Sequence, residues 1–571
     1  KTIEMRKVIF TALVSLTVAT AGAQTMYDGL TFSQNNYYGT ARSIGMGNAM
    51  TAVGGDLGSI GINPAGSAVA GYSQFTITPN LTISSMSSSY SAYPIDGSDI
   101  FLNERTKNLA RVTLPNIGAT LNWSTGNSSG LTSITYGFLF NGTNDYTGQM
   151  LAGGTNDKTS YLSSMAVAAD GFDIDFLNGY RDANNNEINI RDNAYYYADD
   201  RNQFAPWNVI ANAQAGAIAN YGDQKDPSYY WRYIAATEGY NYTSEKDEEG
   251  NYIYDVFLRG NLDQAYGRKV TGSKYDAILN VGFNFSHKFF LGVNLGITSL
   301  NYNFDEYFKE AAQDPGKFPI DFGEKGGTYF DNYRTRYSYT AEGSGVYGKI
   351  GFLFTPVDGV RLGAAVQTPT VMEINDRLRH DVNVNYTHSQ FNGSAQTPEG
   401  NYSYRLRSPY RLNAGAAFTF AGMALLSADY EMTDYSTMKF MSKEGNWDSS
   451  FDGVNDDIRD CMGVSHMLRV GAEFKPVPEL AVRAGYNFTT TPEYVYDGDL
   501  KTKLNDRINA FSVGLGYSSN GSFFADIAAR LTTLADEYIS PYANYLEGVD
   551  SPMILNKREI YSITATFGWR F

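Results

Sequence analysis

The sequence is short of the features that mark an ordinary soluble enzyme. Among 571 residues there is one cysteine, Cys461, so no intramolecular disulfide can form. A chain that crosses an oxidising compartment avoids mispairing by carrying almost no thiols. There are four histidines, His287, His380, His388 and His466; none pairs with another at ligand spacing, which disfavours direct haem ligation. No apolar run reaches the ~18 residues that a membrane-spanning helix needs, and mean hydropathy is -0.33. Positive charge is also in deficit, with 44 Lys and Arg against 60 Asp and Glu and a net charge of -16. Such a chain repels phosphates, so nucleic acid is excluded as a partner. No nucleophile–base arrangement is present, so no enzymatic activity is expected, and no cofactor is implied. What remains is a secreted soluble protein or one that crosses a membrane as strands.

What is abundant is tyrosine and glycine, 44 and 57 residues. With modest hydrophobicity, that composition suits amphipathic strands better than helices. The first residues set the compartment. From Met5 the chain reads Met-Arg-Lys, an apolar stretch Val8–Val14, and Ala21-Gly22-Ala23. Those are a basic region, a hydrophobic region and an A-x-A site, predicting a signal peptide over 1–23 with cleavage after Ala23. The four residues before Met5 are set aside as upstream extras.

The dominant periodicity is two residues. Ile563, Ala565, Phe567, Trp569 and Phe571 alternate with small or polar neighbours, as do Phe511–Tyr517, Phe523–Leu531, Leu468–Phe474, Leu480–Phe488 and Phe289–Ile297. Side chains alternate across a strand, so one face can meet lipid and the other a wet lumen. The pattern predicts fourteen strands, near 73–87, 111–123, 131–146, 274–287, 289–304, 337–354, 360–385, 400–420, 423–441, 460–475, 480–492, 505–518, 521–536 and 556–571. Short turns near 286–288, 356–359, 421–422, 476–479 and 519–521, and a slightly longer one at 124–130, alternate with long connections. The long ones cover 88–110, 147–273, 305–336, 386–399, 442–459, 493–504 and 537–555. That rhythm belongs to outer-membrane barrels, with tight periplasmic turns and extended extracellular loops. The expected fold is an all-β, 14-stranded antiparallel transmembrane barrel at 73–571, with a small N-terminal plug at 24–72 and a large extracellular insertion at 147–273. Both termini should lie in the periplasm.

Two further patterns fit a barrel. Trp123, Phe354, Phe420, Tyr517 and Trp569 fall at the short-turn ends, where aromatic rings favour the lipid–water boundary. Lys349, Arg361, Glu431, Arg469, Glu473, Arg483, Asp526 and Arg530 fall on the opposite phase, where charges pair across a filled lumen.

The segment Gly39-Thr40-Ala41-Arg42-Ser43-Ile44-Gly45-Met46-Gly47-Asn48-Ala49, with Gly55-Asp56 and Ile62-Asn63-Pro64-Ala65-Gly66, resembles the N-terminal plug of the FadL/TodX family. Tyr347–Gly351, Pro356, Arg361-Leu362-Gly363, Thr368-Pro369 and Leu426–Glu431 resemble strands of its barrel. The resemblance covers most of the mature chain apart from 147–273. It implies a fourteen-stranded barrel closed by a plug, which takes up hydrophobic small molecules such as long-chain fatty acids by diffusion. It assigns plug gating to Asn63, Pro64 and Ala65. A kink in the third strand that opens a lateral route into lipid is assigned to Asn141 and Gly142. The ending Trp569-Arg570-Phe571 resembles the signal read by the barrel-assembly machinery. The tyrosine-rich, acidic loops resemble the Bacteroidota branch, whose members are often labelled hemin receptors. Some of these are scaffold subunits of secretion or barrel-assembly complexes that hold surface lipoproteins or another barrel.

A few motifs stand outside this picture. Asp182, Asn184 and Asn186 have calcium-loop spacing, but Glu187 and Asn193 replace the loop's glycine and terminal glutamate, and no metal is assigned. Gly343–Gly348 fits a dinucleotide fingerprint without its strand–helix context. Tyr195-Tyr196-Tyr197 and Tyr229-Tyr230-Trp231 are candidate stacking or partner surfaces. Val209–Ile218 is a candidate short helix within the insertion.

Overall fold

The computed structural model describes residues 24–92, 101–172, 177, 206–222, 224–247, 250–445, 449–497, 500–519 and 522–571. The predicted leader, the 182–193 loop and Tyr195–Tyr197 lie outside them. Fourteen strands close into one antiparallel ring. In chain order they are β1 (Gln74–Ser91), β2 (Leu102–Ser124), β3 (Leu131–Asp145, continued as Gly148–Asn156), β4 (Leu262–Phe285) and β5 (Phe289–Ala312). Next come β6 (Gly327–Val357), β7 (Val360–Gln367 and Val371–Tyr386), β8 (Gly400–Arg407 and Arg411–Phe420) and β9 (Ala424–Asp434 and Lys439–Ser442). The ring is completed by β10 (Val464–Val477), β11 (Leu480–Thr490), β12 (Arg507–Ser518), β13 (Phe523–Thr533) and β14 (Met553–Arg570). Closure is made by β1 on β14, from Gln74↔Arg570 to Ser91↔Met553.

The strands form for the reason their alternation implies. On β5, Phe289, Val293, Leu295 and Ile297 are exposed while Phe290, Asn294 and Thr298 are buried. Those exposed residues reach roughly 26 Å along the strand. After a tilt of about 40° this gives roughly 20 Å, near the height of a transmembrane barrel's apolar belt. The belt continues around the wall through Leu121, Phe138, Leu279, Ile350, Val366, Val470, Val482, Phe511 and Ile563. An apolar surface of that extent is stable only against lipid, and a closed ring leaves few backbone groups unpaired there. Trp123, Phe354, Phe420, Tyr517 and Trp569 are all exposed at the short-turn rim, as an aromatic girdle requires. Ser286 and His287 both adopt positive φ, 52° and 56°, within the three-residue turn 286–288 that joins Phe285 to its ladder partner Phe289.

The structure departs from the sequence reading at the long-loop end. β1 and β2 run on to Ser91 and back from Leu102, so most of the predicted 88–110 connection is strand. Beyond the belt Ser88–Ser91 of β1 are buried on both faces and residues 102–106 of β2 exposed on both, so the apolar alternation that marks a strand disappears. The strand expected from residue 460 begins at Val464, because Asp452–Cys461 forms a helix. The 147–273 excursion starts and finishes as strand, with Gly148–Asn156 paired to Leu262–Val270 of β4. Its remainder contributes helices Tyr161–Ala169 and Trp207–Gln214; the second covers 209–214 of the predicted 209–218 helix, and Ile218 instead begins a short strand. Leu162, Val209, Ile210 and Ala213 join Phe308, Tyr333, Val382 and Val384 of the strand ends in one apolar cluster over that mouth. Glu310 anchors the cluster: its carboxylate accepts from Tyr161 N (2.7 Å), Ser160 Oγ (2.8 Å) and Gln264 Nε2 (2.7 Å). Burial pushes its carboxyl up to about 7, and the site lies more than ten residues beyond the apolar belt on β5.

Candidate functional site: the filled lumen and a break in the wall

The barrel interior is occupied by residues 24–70, held by luminal charges that the alternation located and by Lys274 and Arg411, which it did not. Helix α1 (Met26–Ser33) starts with a capping box in which Thr25 and Asp28 satisfy each other's backbone N–H; this pairing secures two otherwise orphaned donors. At its other end Lys274 Nζ donates to Phe32 O (2.8 Å) and Gln34 O (2.5 Å), and Arg411 Nη2 to Ser33 O (2.5 Å). Cations belong at a helix C-terminus, where the carbonyl dipoles point. Leu30 and Phe32 enter an apolar pocket with Tyr339, Met372, Tyr404 and Phe440.

Beyond α1 the segment crosses the lumen to helices α2 (Ala41–Gly45) and α3 (Leu57–Ile60). Arg42 forms a two-pronged contact with Glu473 (2.9 and 3.1 Å). Arg483 donates to Glu473 (2.6 Å) and Asp526 (2.5 Å). A second group joins Arg411, Glu431 and Arg469, with Tyr37 Oη donating to Glu431 at 3.0 Å. Breaking one partner of such a buried pair costs about 3–5 kcal/mol, far more than the pair contributes over an apolar alternative. These lattices therefore fix position more than they add stability. Arg530 donates to Tyr37 O, and Arg361 to Val53 O.

The Asn63-Pro64-Ala65 turn is seated on the wall. Asn63 Nδ2 donates to Thr51 O (2.7 Å) and Phe352 O (3.0 Å), while its Oδ1 accepts from Ala65 N (3.1 Å). Pro64 O accepts from Asn280 Nδ2 (3.1 Å), and Lys349 Nζ holds Gly61 O (2.9 Å). The seat exists because two luminal positions lack side chains. A Cβ at Gly292 would fall on the Pro64–Ala65 backbone, and one at Gly351 on Asn63 and Pro64.

The wall itself is interrupted between β2 and β3. Their ladder runs only from Ser124↔Ser133 to Asn116↔Asn141. Above that, β3 slips register against β4 between Gly142 and Asn144 and resumes at Gly148, leaning inside β1 and β2. Residues 102–115 of β2 then have no ladder partner on that side among the described residues. On β1 the neighbouring Leu81 and on β2 Val112 and Leu114 are exposed apolar residues, so the break lies within the belt. It is lined from inside by the N-terminal segment: Asn36 N donates to Thr143 O (2.8 Å) and Tyr38 N to Gly142 O (3.1 Å). Arg111 bridges it from β2, with Nη1 on Gly272 O (2.9 Å), Thr147 Oγ1 (3.3 Å) and Asp145 Oδ1 (3.5 Å).

The structure thus brings two predicted features together. Asn141 lies beside Gly61, just ahead of the Asn63-Pro64-Ala65 turn, and Leu57 and Ile60 pack on Leu139 and Ile278. Trp569 and Phe571 are elsewhere, on the outer short-turn rim; Trp569 stacks on Phe75, and Phe571 pairs through its backbone with Ser73. Sequence reasoning passed over Pro79, Pro115 and Arg111. Pro79 and Pro115 sit at a bulge where Thr78↔Asn116 is followed by Asn80↔Thr113. Proline inside a strand donates nothing to a ladder and marks such a site. Two such prolines, paired across neighbouring strands, were the available signal.

No family model matches the chain, and no curated protein does. Among solved structures the chain is similar to a Pseudomonas aeruginosa FadL homologue at 12% identity, covering 94% of this chain and 98% of that one, with a TM-score of 0.43. The figures are the same for the Pseudomonas putida toluene transporter TodX. For the Ralstonia pickettii toluene transporter TbuX they are 11% identity, 94% and 99% coverage, and a TM-score of 0.42. No helix among the described residues is long and apolar enough to cross a membrane; the crossing is made by strands, as in an outer-membrane β-barrel.

Proposed function

We propose that the protein is an outer-membrane channel for diffusion-driven uptake of hydrophobic small molecules, long-chain fatty acids among them, gated by its N-terminal segment. One observation carries this reading. The β2–β3 ladder stops inside the apolar belt, at the place where residues 36–38 of the N-terminal segment meet the wall. An unpaired backbone edge in hydrocarbon costs several kcal/mol per group, so a barrel keeps one only for use. A molecule dissolved in lipid tails can approach there without crossing the polar mouth. The Asn36–Thr143 and Tyr38–Gly142 hydrogen bonds would open as the segment shifts. The test is saturable binding of a fluorescent fatty acid by the purified protein in detergent. Saturation that a neutral hydrocarbon displaces supports the channel, and a linear, non-saturable response defeats it.

A scaffold role is favoured by a different observation. The insertion and outer strands cover one mouth with an ordered apolar core, and Tyr230, Trp231, Tyr240 and Tyr242 remain exposed upon it. Large exposed aromatics are typical anchors of protein interfaces. In this reading the barrel holds surface lipoproteins or another barrel. Affinity capture from gently solubilised native membranes separates the two: a stoichiometric protein partner supports the scaffold, and a lone monomer carrying lipid supports the channel.

A further inference from the structure

A cavity of about 300 Å³ opens at the short-turn end of the lumen. One side of it is residues 53–55 and 69–72 of the N-terminal segment, and the other is the adjoining ends of β7, β8, β9 and β10. Its lining is uneven in charge. Arg42, Arg361 and Lys475 share one carboxylate, Glu473, in a chain whose net charge is -16. Behind Glu473 the Arg483–Asp526 pair is neutral as a unit, so the positive excess stands.

Two of the cations have donors to spare. Arg361 uses Nη1 on Val53 O (2.8 Å) and forms no ion pair among the described residues. Lys475 meets Glu473 only at 3.8 Å, and 44% of its side chain is exposed. Glu473 has more cations than it needs, with Arg483 at 2.6 Å and Arg42 at 2.9 and 3.1 Å. Arg42 can therefore turn to another carboxylate while Arg483 keeps Glu473 paired, and no buried charge is stranded. The cavity suits neither a lipid tail nor one small anion. Gly54, Gly55 and Gly71 present backbone to it, and a Cβ at Gly71 would meet nothing. Arg361 and Lys475 stand three strand spacings apart around the ring, roughly 14 Å. An extended chain with an acidic side chain at every second residue places carboxylates roughly 7 Å apart and spans both.

We propose that this cavity is a socket for an extended acidic segment of a soluble carrier protein. The segment's carboxylates bind Arg361 and Lys475 and displace Glu473 from Arg42. The proposal rests on the channel reading, which places the short-turn end in the periplasm. A hydrophobic cargo released there is poorly soluble in water, so an acceptor protein must take it up. Occupancy frees Arg42, and with it α2, from the wall, which couples loosening of the N-terminal segment to the presence of an acceptor.

Fluorescence anisotropy of the purified full-length protein in detergent tests it. The probes are a fluorescein-labelled hexapeptide of alternating Gly and Glu and the same peptide with Gln in place of Glu. Hydrogen bonds between charged groups are the strong ones, so the wild type should bind the acidic peptide at least about tenfold more tightly. Arg361→Gln should lose about tenfold and Arg361→Lys should keep most of the affinity. Lys475→Gln should lose less, because that side chain is more exposed. Arg377→Gln, on the exposed outer part of β7, should change nothing. Unchanged barrel mobility on unheated gels shows that each variant is folded. Saturating peptide should quicken hydrogen exchange at residues 41–45 while β10 stays protected. Equal binding of the two peptides, or equal losses in Arg361→Gln and Arg377→Gln, overturns the socket. Peptide binding that leaves exchange at 41–45 unchanged overturns the displacement of Glu473 from Arg42. Saturable fatty-acid binding without peptide binding overturns the socket and leaves the channel standing. Peptide binding without fatty-acid binding removes the channel reading and leaves an acidic-protein site in support of the scaffold.

Discussion

Replacing Gly292 or Gly351 with alanine should unseat the Asn63-Pro64-Ala65 turn without opening the barrel. The methyl group at Gly292 would overlap the Pro64–Ala65 backbone, and that at Gly351 the Asn63 Oδ1 and the Pro64 ring, which the turn's own hydrogen bonds hold in place. One of two bodies must therefore move. The wall is poorly able to: β5 and β6 are registered without interruption from Phe289↔Phe354 to Ala311↔Asn332, and each is held on its other side as well. The turn is held by four hydrogen bonds from Asn63 Nδ2 (two), Asn280 and Lys349. Overpacking of this kind costs about 1–3 kcal/mol. Charged to the turn alone, that raises its open population by roughly five- to 150-fold. Hydrogen exchange in detergent should show the amides of residues 59–66 accelerated by that factor, with the β5 and β6 ladders protected as before. In Gly292→Ala plus Gly351→Ala the two costs should combine to less than their sum, because both act on one turn. Unchanged exchange at 59–66, or loss of protection across β5 and β6 together, would refute the idea that the wall is the rigid partner.

Three other outcomes follow from the same geometry. Glu310 binds its proton more tightly in the fold, near pH 7, than its ordinary value of 4.5. The stability it contributes is fully present below pH 4.5 and is lost as pH rises through 7; exchange of helix Tyr161–Ala169 should quicken over that range, and Glu310→Gln should flatten the dependence. Lys274→Met removes one of two cations from the C-terminus of α1, a loss of about 1 kcal/mol; protease sensitivity at residues 26–34 should rise several-fold, with barrel mobility on unheated gels unchanged. Phe571→Ala should lower the amount of barrel delivered to the outer membrane while the same variant, refolded in detergent, keeps wild-type heat resistance.

Much of the wall was legible because lipid and lumen impose opposite demands on alternate residues. Phe289–Ile297 and Ile563–Phe571 show the rhythm plainly, and the luminal charges Glu431, Arg469, Glu473 and Arg483 fell on the phase that pairs them. The break was not legible. Val112 and Leu114 keep one phase and Leu121 and Trp123 the other, so a period of two measured across Pro115 blurs, and the strand's start was placed at residue 111. Residues 102–110 stand beyond the belt, where water on both sides removes any apolar alternation. The seat of Asn63-Pro64-Ala65 depends on Gly292 and Gly351, which lie more than two hundred residues away in sequence. Their glycines read only as small members of strands until the turn was seen against them. The insertion is tertiary in the same sense, since Leu162 and Val209 join a cluster completed by strand ends as distant as Phe308, Tyr333 and Val382.

The lateral break is the claim on which the functional account turns. Photolabelling from the bilayer tests it most directly, using a fatty acid with a photoreactive group at the end of its tail, in liposomes holding the intact protein. The account expects labels concentrated at Val112, Leu114, Phe138 and Phe140 and carried inward to residues 36–38, well above those on Leu426, Leu468 and Val470 of the opposite wall. Even labelling around the belt, with none on the N-terminal segment, would contradict it.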